Sequence, residues 1–222
     1  MISIAIDGPA GAGKSTLARR LASELGFIYV DTGALYRAVA LSALRAGIDP
    51  ADSEAVKDLL PQTRIDVART DGLQHVFLNG EDVTSAIREE RVSMGASSVS
   101  AVPEVRKFLL ELQRGLARTS NVLMDGRDIG TVILPNAQVK IFLTAAPEAR
   151  AMRRWKEQTQ KGESITYEKV LEDVIRRDRQ DSERETAPLR QADDAVLVDT
   201  SDLDFEESFE ALLSVIRGKL QQ

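Results

Sequence analysis

The stretch Gly8-Pro9-Ala10-Gly11-Ala12-Gly13-Lys14-Ser15 constrains this chain more than any other. It has the spacing G-x-x-x-x-G-K-[S/T], and its flanks supply the context that the spacing needs. Ahead of it, Ile2–Ile6 is short, apolar and rich in β-branched residues, the pattern of a buried strand. Behind it, Leu17, Leu21 and Leu25 recur at helical spacing, and Gly26 stands where a helix would stop. Strand, glycine loop and helix in that order aim backbone N–H groups and the positive end of a helix at an anion. The segment through Thr16 is therefore expected to cradle a nucleotide triphosphate, with Lys14 reaching the terminal phosphates and the Ser15 hydroxyl ligating Mg²⁺.

Bulk properties narrow the partners. The 222 residues suffice for a substantial core. A net charge of −6 argues against a nucleic-acid polymer or a membrane surface as the general partner. Without cysteine there is no disulfide, thiolate metal site or thiol nucleophile. Asp7 interrupts the N-terminal apolar run, so no signal peptide is expected, and no segment approaches the ~20 apolar residues of a membrane span. These features predict a cytoplasmic protein.

Along the chain, Phe27–Val30 reads as a second strand ending in Asp31-Thr32-Gly33. Ala34–Ala46 then reads as a helix closed by Gly47. Tyr36 and Arg37 fall in its first turn, near the strand end where open parallel sheets bind ligands. A half-buried tyrosine beside a solvated arginine fits the local pattern too. From Thr63 to Val83 the grammar changes: Ile65, Val67, Val76, Leu78 and Val83 alternate with polar residues around Asp71-Gly72 and Asn79-Gly80. That predicts a three-stranded antiparallel meander, separate from the main sheet, holding the single histidine, His75, in a structural role.

Helices are expected over Glu90–Ser100 and Pro103–Ala117, with Arg106 near Ser97 and Ser98 across the break. Asn121–Asp125 is a strand whose terminal acid would hold or orient the metal, and it runs on into Gly126-Arg127-Asp128. Val139–Leu143 is a further strand, and Pro147 to Gly162 a helix in which Arg150, Arg153 and Arg154 share a face. In the next helix, Thr166–Glu185, the stripe Val170, Val174, Arg177, Asp181 and Arg184 starts apolar and turns charged. Surface pairing such as Asp173 with Arg177 would account for the charges, but a core face that turns cationic suits a cleft for anions. Ala195–Asp199 reads as a last buried strand and Phe205–Leu220 as an amphipathic helix. Strands alternating with helices through right-handed crossovers predict an α/β protein with three layers and a five-stranded parallel sheet.

A phosphate loop, an acid beside the metal and many arginines suit phosphoryl transfer, where positioning and charge stabilisation dominate. Arginine stays charged and grips phosphate oxygens in pairs. An acceptor that is itself a phosphate needs no general base.

In this order, the loop Gly8 to Thr16, Asp31-Thr-Gly-Ala-Leu-Tyr-Arg37, Asp125-Gly-Arg-Asp-Ile-Gly-Thr131 and Arg177-Asp-Arg-Gln-Asp-Ser-Glu-Arg184 resemble bacterial cytidylate kinases. The resemblance spans essentially the whole chain, and the meander looks like that family's enlarged monophosphate-binding insert. It implies a single P-loop kinase domain over 1–222, with a core of 1–32, 103–147 and 165–222, a monophosphate-binding region of about 33–102 and a helical lid of about 148–164. It implies γ-phosphoryl transfer from ATP to CMP or dCMP with Mg²⁺, by a monomer. By position, Thr32, Tyr36, Arg37, Arg106 and Arg127 would hold the acceptor nucleotide and its phosphate. Ser97, Asp128, Arg177 and Asp181 would surround cytosine and sugar. Lys14, Arg127, Arg153, Arg154 and Arg184 would act on the transferred group, and Ser15 and Asp125 on the metal. Thr32 stands where serine is commoner and keeps the hydroxyl; Gln180 stands where a charge is commoner. Kinases of UMP, AMP or a metabolite hydroxyl, and a nucleotide-dependent ATPase switch, are the rival readings.

Overall fold

The computed structural model describes residues 1–70, 73–160 and 162–221. The N-terminal strand is β1 (Ser3–Asp7), and its Ile4, Ala5 and Ile6 are fully buried, as befits a strand covered on both faces. Helix α1 (Lys14–Leu25) starts directly from the loop and stops at Gly26, whose φ of 68° is the left-handed close that glycine permits. Strand β2 (Ile28–Asp31) leads into α2 (Thr32–Arg45). That helix starts two residues before the expected Ala34 because the Asp31 carboxylate caps it, accepting from the Ala34 N–H at 2.9 Å.

Helix α3 (Ser53–Leu59) was not expected. It buries only Val56, so the Asp52 cap was its one local signal. The meander consists of β3 (Ile65–Thr70), β4 (Leu73–Leu78) and a two-residue β5 (Glu81–Asp82), in an antiparallel sheet of their own. Asn79 and Gly80 take φ of 51° and 89°, the paired positive values of a tight hairpin, whereas Asp71-Gly72 lies outside the described residues. His75 bonds Asp82 at 2.9 Å within this sheet. Next come α4 (Glu90–Val99) and α5 (Pro103–Thr119), close to the expected bounds.

Strand β6 (Val122–Gly126) is followed by a π-helical turn, Ile129–Ile133, that the sequence did not announce. Then come β7 (Val139–Thr144), α6 (Pro147–Gln160), α7 (Tyr167–Glu183), β8 (Val196–Asp199) and α8 (Phe205–Leu220). The main sheet has the order β2-β6-β1-β7-β8, five strands in the three-layer α/β arrangement expected. One strand differs in kind: β8 is an edge, bonded among the described residues to β7 alone, so Leu197 is 55% exposed and only Val198 is buried. Four apolar residues in a row suggest burial, but position in the sheet order decides it.

Two compact units emerge, Ile28–Val122 with Met1, and Ile2–Phe27 with Leu123–Gln222. In the first, Leu35 and Val39 of α2 pack with Val76 and Leu78 of β4, Val92 and Val99 of α4, and Val105 and Leu109 of α5. In the second, α6 and α7 share a small core of Ala151, Val170 and Val174, roofed by Trp155 and Tyr167 ring edge to face. Helix α8 opens with a reciprocal cap: Asp204 accepts from the Glu207 N–H and Glu207 from the Asp204 N–H, both at 2.9 Å. Asp204→Ala should therefore lower stability by about 1 kcal/mol, read as a melting temperature roughly 2–4 °C lower. An unchanged melting curve would show that the α8 cap carries no weight.

Candidate active site

The second unit builds its site around the loop between β1 and α1. Gly8 has φ of 152°, and a Cβ there would lie 1.9 Å from the Leu143 carbonyl oxygen, so only glycine fits. Lys14, the first residue of α1, is 5% exposed and donates to the Pro9 carbonyl at 2.7 Å. Burial first, and the nearby Arg127 charge second, push its pKa down to about 7. The Ser15 hydroxyl donates to Asp125 Oδ2 at 2.8 Å, which brings two side-chain oxygens together from residues 110 positions apart.

Beyond β6 stands a buried chain of alternating charges. Arg127 Nε donates to Asp181 Oδ2 at 2.6 Å; Arg184 lies 3.9 Å from Asp181 Oδ1 and 3.8 Å from Asp128 Oδ1. Burial works to raise the Asp181 carboxyl, but the Arg127, Arg184 and Arg177 charges outweigh it and hold the carboxyl below its ordinary range. This is what became of the α7 stripe: Val170 and Val174 are core, and Asp181 continues the same face into the charged chain. Asp173 pairs instead with Arg176 at 2.9 Å.

Two residues to which the sequence reading gave no role at the site, Asp7 and Arg150, support it. Asp7 accepts from the N–H groups of Ile129 and Gly130 at 2.8 and 2.7 Å, fixing the backbone just after Asp128. Burial pushes its pKa up to about 6 against the pull of those two bonds. Arg150 is 3% exposed, grips Asp178 in both forks at 2.9 and 2.6 Å, and donates to the Ala10 carbonyl at 3.0 Å. It thereby ties the phosphate loop to α6 and α7. Of the three arginines spaced along α6, the buried one holds the loop. Arg153 donates to the carbonyls of Thr200 and Leu203 after β8, and Arg154 is half-buried on α6.

The first unit gathers a second set. Asp31 and Thr32, 4% and 2% exposed, sit at the β2–α2 junction. Arg37 and Arg88 converge on the same Asp31 oxygen at 2.8 and 3.3 Å. Burial opposes ionisation of that carboxyl, yet the charges of Arg37 and Arg88 keep it below the usual range. Arg37 is thus ion-paired rather than solvated, and Tyr36 is buried, with the Arg106 guanidinium 5.5 Å from its ring. Arg106 also donates to the Ser100 carbonyl at 3.1 Å, while Ser97 is half-buried on α4. Arg88 had no motif to mark it.

Comparison with known proteins fits this picture. The sequence profile of the cytidylate kinase family matches residues 4–218. A cytidylate kinase of Caldicellulosiruptor bescii is 51% identical over 96% of this chain and 95% of its own length. One of Carboxydothermus hydrogenoformans is 52% identical over 97% of each. A shikimate kinase structure from Bacteroides thetaiotaomicron aligns over 100% of this chain and 99% of its own, with a TM-score of 0.50 and 13% identity, which speaks to the fold alone. With a match from residue 4 to residue 218 and relatives half identical over nearly its full length, the chain belongs to the cytidylate kinase family.

Proposed function

We propose that this protein transfers the γ-phosphoryl group of ATP to CMP or dCMP, giving ADP and CDP or dCDP. The observation that carries the reading is the buried chain Arg127–Asp181–Arg184–Asp128 in the same unit as Lys14 and the Ser15–Asp125 pair. Residues Gly8 to Thr16 hold the triphosphate of ATP, with Lys14 on its terminal phosphates. Arg127 and Arg184, held in place by their carboxylate partners, stabilise negative charge on the transferred group. Arg153 and Arg154 belong to the lid of about 148–164. Among the described residues no group of three or more acidic, histidine or cysteine side chains could hold a metal by itself. Ser15 and Asp125 nonetheless offer an all-oxygen pair that fits Mg²⁺, which completes its shell with water and phosphate oxygens. Bound there, Mg²⁺ would neutralise charge on the phosphates.

For the acceptor, Thr32, Tyr36, Arg37 and Arg106 of the region 33–102 and its borders hold the phosphate end. Ser97, Arg177, Asp181 and Asp128 recognise the base and sugar. Cytosine carries an amino group where uracil has a carbonyl, so a carboxylate accepts from one and repels the other. Asp128→Ala should narrow the preference for CMP over UMP by about tenfold in kcat/KM. An unchanged ratio would remove Asp128 from base recognition. The function itself is tested by ADP release with CMP, dCMP, UMP and AMP, and with no acceptor. Turnover confined to the cytidine nucleotides is expected, and hydrolysis indifferent to the acceptor would overturn the assignment.

A further inference from the structure

Strand β2 is the outer strand of the main sheet on its side, so among the described residues the peptide of its last residue, Asp31, has no strand beyond it. A side chain from the meander fills that role. The Gln74 carboxamide accepts from the Asp31 N–H at 2.8 Å and donates to the Asp31 carbonyl at 3.2 Å. Exchanging both bonds with one residue is what a paired antiparallel strand would do. The partners also fix which end of the amide is which, because only its oxygen can serve the N–H and only its nitrogen the carbonyl.

The placement of Gln74 sharpens the point. In β4, residues 74, 76 and 78 share a face by strand alternation, and Val76 and Leu78 are 1% and 3% exposed. Register holds them there: Val76 lies opposite Val67 and Leu78 opposite Ile65. A carboxamide on that face interrupts a core row, and an apolar side chain would continue the packing without a polar group to satisfy. What the amide adds is a fixed Asp31 peptide. On that peptide hang the α2 cap to Ala34, the ion pairs to Arg37 and Arg88, and the position of Thr32.

We infer that Gln74 is a positioning residue for the acceptor: it clips the meander to the β2–α2 junction and so sets Thr32 and Arg37 for the incoming monophosphate. The inference rests on the proposed role of those two residues. It is tested with full-length wild type and Gln74→Met, a side chain of similar length without the amide, in steady-state assays varying CMP and ATP separately. Gln74→Met should raise the KM for CMP about 5- to 20-fold, the loss expected from two hydrogen bonds. The KM for ATP and kcat at saturating CMP should stay within about twofold of wild type, a split that a general loss of stability would not produce. If Gln74→Met folds poorly, Gln74→Glu, which keeps the acceptor for the Asp31 N–H and loses the donor, is assayed for CMP binding by calorimetry and should bind about 5-fold more weakly. A KM or binding constant for CMP unchanged in the variant, or equal rises for both substrates, overturns the clip. A wild type that turns over no CMP overturns the assigned function and this inference with it.

Discussion

Lys14→Ala should lower turnover about 10²–10³-fold while the protein still folds. The ammonium is already aimed along the loop, 2.7 Å from the Pro9 carbonyl, and nearly sealed from solvent at 5% exposure. In the proposed reaction, a charge so placed would stabilise developing phosphate charge without reorganising. The same placement works against stability. Burial beside Arg127 brings the ammonium pKa down to about 7 from an ordinary value of 10.5. A lysine whose pKa is lowered by folding favours the neutral form in the folded state, so its charge opposes folding at pH 7 and below. That opposition fades as pH rises from about 7 toward 10.5, where the unfolded chain loses its proton too. Lys14→Met, which keeps the bulk and removes the charge, should therefore melt higher than wild type at pH 6.5 without nucleotide, and the gain should shrink by pH 9. Near wild-type turnover in the alanine variant would show that Lys14 is no phosphate ligand. A lower melting temperature in the methionine variant would show that its charge costs the fold nothing.

That trade-off was half legible in the sequence. Glycine spacing and the helix after it revealed the loop, because a turn of positive φ and a helix start are local events. Asn79-Gly80 announced the meander for the same reason. What sequence reading missed was chemistry assembled across distance. Asp7 meets Ile129 from 122 positions away, Arg150 meets Asp178 from 28, and Gln74 meets Asp31 from 43. Nothing in the local pattern at Asp178 separates it from the exposed acids of the same helix. Arg150 could be placed on a face with Arg153 and Arg154, but helical periodicity cannot say which member of a face is buried. Ser15 and Asp125, 110 positions apart, could each be assigned to the metal from its own motif, but the direct hydrogen bond between them is visible only in the fold.

Asp31→Ala should lower stability by about 3–4 kcal/mol. Two losses combine. The α2 cap disappears, worth about 1 kcal/mol, and two arginines lose the carboxylate they share. Arg37 retains 18% side-chain exposure and Arg88 50%, so water recovers part of the second loss, and the estimate stays at about 2–3 kcal/mol for the pair. Asp31→Asn separates the two, since its side-chain oxygen still caps Ala34 while the charge is gone. It should fall between wild type and alanine in chemical denaturation at pH 7. The sign of the pH effect follows from a carboxyl held below its ordinary value: its contribution is complete above the unfolded pKa near 3.8 and drains away as pH falls through the folded one. The gap between wild type and Asp31→Asn should accordingly narrow on going from pH 7 to pH 3. A gap that stayed constant over that range would mean that the carboxylate's charge, and hence its pairing with Arg37 and Arg88, does not hold the junction together.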